Sequence, residues 1–251
     1  MGSNLLGFQN ENDLILHLNE KKIYELNDNL KRFIHFLFGN LNQNETIHAF
    51  SGINGQKPDI IIRINNNIKK VSVKIGNGNS VHQENIGLFM KYLSSIGVSK
   101  NILIELLKFH WADGTIDNTG NYRYSSAEYK NEHENEINLI NSELNNPNFL
   151  LKLVTRILFQ GKLDTFDIVD VIYYGNYKEG HWASSDEILD YIVSNQFHSD
   201  SVHFGPLHYQ IWNRCLNFNP KTENRRNIMQ IKWSSLLQDI INIERNRKNN
   251  V

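Results

Sequence analysis

From Asp59 to Ile75 the chain reads DIIIRINNNIKKVSVKI, two apolar stretches on either side of an asparagine triplet at 65–67. Strand side chains point alternately to opposite faces, so short apolar runs bounded by a turn signal predict a β-hairpin with Asn66 at its tip. Upstream, DLILHLNEKKIYELNDNLKRFIHFLFG (13–39) carries apolar residues at helical spacing as far as Gly39 and predicts one or two amphipathic helices. TIHAFSG (46–52) predicts a strand. Beyond the hairpin, the glycine-rich GNGNS turns the chain into a helix from about Ser80 to Ser95, opened by a capping box of Ser80 and Gln83. NILIELLKF (101–109) predicts a further strand. The order is helix, three antiparallel strands, helix, strand.

The second half is less regular. A turn-rich stretch at 110–126 leads to a polar helix (126–144), a more apolar one (146–160), a strand at 166–175 and a helix capped by SSDE (184–187). The end predicts strand, basic loop, strand and closing helix. The expected fold class is α/β, a mixed central sheet flanked by helices, with a C-terminal α+β extension. The expected domains are 1–112 and 113–251.

With 251 residues, 40% of them hydrophobic and 21% charged, the chain can bury a sizeable core. A net charge of −1 means that a polyanionic partner must be recognised by the local field of a cleft, not by overall charge. The lone cysteine, Cys215, excludes an internal disulfide and a cysteine zinc cluster. No signal-peptide pattern and no membrane-length apolar run is seen, so the cytoplasm is expected and no membrane partner. Neither a phosphate-binding glycine loop nor a Gly-x-Ser-x-Gly elbow is present, which argues against ATP-driven translocation and serine hydrolase chemistry. The asparagine abundance reads as composition bias.

Candidate chemistry collects around the hairpin. Asp59 lies seven residues before Asn66 and Lys74 eight after it, so the two sit near one another at the end away from the turn. Ser72 shares a face with Lys74, while Val71, Val73 and Ile75 take the other. On the predicted helix, Glu84 shares a face with Val81, Leu88 and Tyr92 and points back toward the strand ends. An inward carboxylate is costly unless it is paired or bound to a cation. Magnesium takes oxygen ligands, with one or two carboxylates, and Asp59, Glu84 and the backbone carbonyl of Val73 would supply them. Lys74 would orient the attacking water or neutralise transition-state charge.

Pro58, Asp59 and Lys74 in this arrangement resemble the PD-(D/E)XK nuclease superfamily, and within it the type II restriction endonucleases. The position two before the lysine, acidic in most of the family, is Ser72. One branch shows the same Ser-x-Lys and draws its carboxylate from the following helix, where Glu84 stands. The element order from about 10 to 110 is similar to that family's αβββαβ core. Many members carry another acidic residue on the first helix, for which Glu20 and Glu25 are both candidates.

The resemblance implies a magnesium-dependent endonuclease cutting double-stranded DNA at a specific site in restriction or phage defence. It also implies a homodimer, with a DNA methyltransferase as genetic partner. Two alternatives stay open: a repair or resolvase nuclease of the same fold, and a nucleic-acid-binding protein that has lost catalysis. Given such a core, His82 at the helix start is either a phosphate contact or a plain residue of the first helical turn. Gln210, Arg214, Asn217, Arg225, Arg226 and Lys232, interleaved with Trp212 and Trp233, are expected to contact DNA, because Arg and Lys suit phosphate and guanine edges and Asn and Gln suit adenine.

Overall fold

The computed structural model describes residues 3–53, 56–76, 80–120, 122–161, 168–210 and 225–249. In chain order, α1 (Ser3–Leu18), β1 (Lys21–Lys22), α2 (Asp28–Phe38), β2 (Thr46–Ser51), β3 (Ile60–Ile64) and β4 (Asn67–Lys74) come first. Then follow β5 (Ser80–Asn85), α3 (Ile86–Ser95), α4 (Lys100–Trp111), α5 (Ser126–Glu132), α6 (Glu134–Leu144) and α7 (Pro147–Val154), which runs into a π-helical turn, Thr155–Gln160. The last are β6 (Val171–Gly175), β7 (Gly180–Ser184), α8 (Ser185–Ser194), β8 (His203–Phe204), β9 (Leu207–Gln210), β10 (Ile228–Lys232) and α9 (Leu236–Asn249).

The protein is α/β, with a mixed six-stranded sheet ordered β1-β2-β3-β4-β6-β7 and a separate four-stranded antiparallel sheet ordered β5-β10-β9-β8. The first sheet forms a unit with residues 1–79, 158–191 and 235–251, and the second a unit with 80–157 and 192–234. Each unit thus draws on both halves of the chain, and a division at 112 does not describe it. The reason is β4, whose parallel neighbour β6 comes from the second half.

In the first unit the hairpin forms as the alternation predicts, with Ile60 opposite Val71 and Ile64 opposite Asn67. Alternate positions Ile60, Ile62, Ile64, Val71, Val73, Val171 and Tyr173 are buried and meet Leu14 and Leu18 of α1 and Leu30, Phe33, Ile34 and Leu37 of α2. Asn27 caps α2 by accepting from the Leu30 N–H, and Ser184 and Glu187 form the expected capping box at α8. Asparagine does more than fill the composition: Asn10 donates to the Gly175 carbonyl, and Asn29 bonds both the Tyr173 hydroxyl and the Gly180 N–H. These amides tie the ends of β6 and β7 to α1 and α2.

The second unit packs an aromatic cluster, Phe89, Phe109, Tyr129, Phe204 and Tyr209, between its helices and its sheet. Asn141 on α6 and Asn145, its C-cap, bond the backbone at Ser201, His203 and Gly205. Residues 101–109, expected as a strand, lie in α4: Ser99 accepts from the Ile102 N–H as N-cap, and Ile102, Leu106 and Phe109 fall on one buried face. A short run of Ile and Leu does not itself distinguish the two periods. The strand that pairs with β4 on its other side is β6, in parallel. No described helix is long and apolar enough to cross a membrane.

Candidate active site

Asp59 stands at the mouth of the hairpin, one residue before β3, and its N–H donates to the Val71 carbonyl. That bond continues the ladder and fixes the carboxylate beside the end of β4. One oxygen, Oδ2, accepts from the Ser72 hydroxyl at 2.9 Å, the Val73 N–H at 2.7 Å and the Lys74 ammonium at 3.1 Å. The other, Oδ1, accepts no hydrogen bond from a described residue. Burial pushes the Asp59 carboxyl up, but the Lys74 charge, the Val73 N–H and the Lys74 and Ser72 hydrogen bonds outweigh it and hold the group below the usual carboxylate range.

Lys74 also donates to the Val73 carbonyl at 2.8 Å, so one ammonium bridges two of the three donors that the sequence assigns to a cation. The Asp59 side chain keeps 21% of its surface exposed, and Lys74 19%, so both remain within reach of a ligand.

A second carboxylate comes from α1. Burial, followed by the negative charge of Asp59, raises Glu11 to about 7, with Lys74 pulling the other way. Glu11 precedes Leu14 and Leu18 at i−3 and i−7, the spacing of the helix face that packs on the sheet. That spacing was the available signal, and neither first-helix candidate meets it. Glu20 lies in the turn after α1 with its carboxylate 2.9 Å from the His48 ring, and Glu25 accepts from the Lys22 N–H.

Two further residues shape this corner. The Lys57 ammonium donates to the Leu158 carbonyl; burial and the repulsion of Lys74 bring it down to about 7, against the pull of Asp59. Gly52 donates its N–H to the Asp59 carbonyl at 2.9 Å, and a Cβ there would lie 1.8 Å from the Pro58 carbonyl oxygen. Only glycine lets the end of β2 approach the Pro58–Asp59 backbone so closely.

Glu84 has a different setting from the one expected. It lies in β5, not in the first turn of a helix; α3 begins two residues later, with Asn85 as its N-cap accepting from the Gly87 N–H. Its side chain is fully buried in the second unit, 2.9 Å from the Arg156 guanidinium and 3.1 Å from the His82 ring. Arg156 in turn covers the Tyr92 ring. Burial alone would raise the Glu84 carboxyl, but the His82 and Arg156 hydrogen bonds and charges hold it low. Both oxygens are therefore used within the unit. Ser80 and Gln83, expected to cap a helix, are strand residues facing β10.

His82 is buried toward Glu84, not turned to a phosphate. Gln210 and Lys232 lie on β9 and β10. Arg226 reaches Asp113 at 3.4 Å while its carbonyl meets His110, and Arg225 is exposed. Trp233 is fully buried. Arg214, Asn217 and Trp212 lie outside the described residues. No protein-family model matches the chain, and no curated protein matches it in sequence.

Proposed function

We propose that the protein is a magnesium-dependent endonuclease that hydrolyses double-stranded DNA at a specific site, of the kind found in restriction. The observation that carries this reading is the Asp59 carboxylate, gripped on Oδ2 by Ser72, Val73 and Lys74, while Oδ1 accepts from no described residue. Glu11, partly buried on α1, has its carboxyl raised by burial and then by the charge of Asp59. Two carboxylates that repel each other beside a main-chain carbonyl match the oxygen donor set of a hard divalent cation. Asp59, Glu11 and the Val73 carbonyl would hold magnesium, with Glu11 in the role the sequence gives to Glu84.

When bound, the ion supplies Lewis-acid charge to the phosphodiester. The chain's own residues do the positioning. Ser72 and the Val73 N–H fix the Asp59 rotamer. Lys74, beside Asp59 and the Val73 carbonyl, would present its ammonium to the phosphate and the attacking water. Cutting both strands calls for two such sites, supplied by a homodimer on a near-palindromic sequence.

The direct test is incubation with methylation-free phage DNA in magnesium and in chelator, followed by end sequencing. Discrete fragments with one end sequence, formed only with the metal, are expected. Intact DNA across a series of divalent ions would leave the fold without this chemistry and favour a binding protein.

A further inference from the structure

The sheet of the second unit has two unlike faces. One is core: Glu84, Met229, Ile231 and Tyr209 are buried. On the other, the strand register sets Gln83 of β5 opposite Gln230 of β10, and Gln230 opposite Gln210 of β9. Three carboxamides therefore stand abreast across three adjacent strands. A bulge after Ile231 brings Ser80 opposite Lys232, which in turn faces His208, so a second polar row with a cation lies beside the first. Gln230 donates to the Ser80 hydroxyl at 3.0 Å, which ties the rows together.

Glutamine offers one donor and one acceptor side by side, the pattern that adenine presents at N7 and N6 in the major groove. Guanine shows two acceptors there, which ask for Arg or Lys, and the amide row has neither. The outer strands of the row are about 9.5 Å apart, inside a major groove about 12 Å wide. The A-form major groove of RNA is too narrow to be read this way. Gln83 is exposed, and Gln230 and Gln210 are partly exposed.

We infer that the Gln83–Gln230–Gln210 row reads A·T base pairs in the DNA major groove, with Lys232 on a flanking phosphate. The inference takes DNA as the partner from the proposed function and adds the bases it selects.

Its test is a selection by binding in chelator. The full-length Asp59→Ala chain, with the parent chain as a second sample, is equilibrated with a random-sequence duplex library and the retained DNA is sequenced. A consensus containing A·T pairs is expected. Replacing its adenines with 7-deazaadenine, which deletes the N7 acceptor without touching the protein, should weaken binding about ten- to hundredfold. Gln230→Leu should narrow the preference for the consensus over a G·C scramble by a similar factor. A consensus of G·C pairs, no consensus, indifference to 7-deazaadenine, or stronger retention of an RNA pool each overturns the inference. The two readings fail separately. An A·T consensus bound by a parent that never cuts upholds the base-reading row and sinks the nuclease, while metal-dependent cutting at sites without A·T does the reverse.

Discussion

Asp59, just before β3, and Glu84, within β5, are both carboxylates paired with cations, yet the two neighbourhoods treat them differently. Glu84 has no exposed side-chain surface, and Arg156 and His82 occupy its oxygens. Asp59 concentrates every described donor on a single oxygen and keeps a fifth of its side chain open. A buried ion pair with both ends satisfied can hold a sheet together but has nothing left to offer a ligand. A carboxylate satisfied on one side only is held in place and remains available. Availability of lone pairs, more than burial or charge, separates the candidate centre from the scaffold.

The sharpest way to break that comparison is Asp59→Ala. It should cut metal-dependent cleavage by about a thousandfold or more, which is about 4 kcal/mol of transition-state stabilisation, and should abolish any rise in Tm on adding magnesium. Glu84→Ala should instead leave Arg156 and His82 uncompensated and cost about 3–5 kcal/mol of stability, equally in magnesium and in chelator. Denaturant melts of both variants under both conditions decide it: a Glu84→Ala chain of normal stability that has lost its magnesium response would return that residue to the metal site.

Next in size, Gly52→Ala forces a methyl group against the Pro58 carbonyl. A cost of about 1–3 kcal/mol is expected from overpacking, with weaker metal activation because Asp59 moves with that backbone. Unchanged magnesium titration of cleavage would show that the close approach is not needed for the site.

The smallest effect is a pH slope. A carboxyl whose folded pKa is raised, as Glu11 is to about 7 from 4.5, adds stability that is whole below pH 4.5 and lost as pH rises through 7. Discounted for its partial exposure, the amplitude is about 1–2 kcal/mol. Glu11→Gln should remove this slope in chelator, and the same slope in the variant would mean that Glu11 does not titrate beside Asp59.

The hairpin and the Asp59–Lys74 pairing were legible in the sequence because alternation and a turn signal fix register over a few residues. The departures have physical causes. The buried face of β5 is built from His82 and Glu84 as well as Val81, so its inward pattern does not read as hydrophobic, and the Ser80–Gln83 spacing imitates a cap. Glu11 escaped because it lies before the stretch whose periodicity is plainest, although its spacing to Leu14 and Leu18 marks the face. The partner of β4 could not be found locally at all. Pairing between residues about a hundred positions apart leaves no trace in a short window, and here Asp170 secures it by bonding the Lys70 backbone through both its carboxylate and its N–H.

That late partner has a consequence for biosynthesis. Until residues 171–175 leave the ribosome, the strand bearing Lys74 has its outer row of amides and carbonyls unpaired, an open template for other nascent chains. Closure then requires a long loop to be drawn in, which makes the completed sheet a slow, non-local folding event. A polypeptide truncated before β6 would carry Asp59 and Lys74 on an aggregation-prone ribbon.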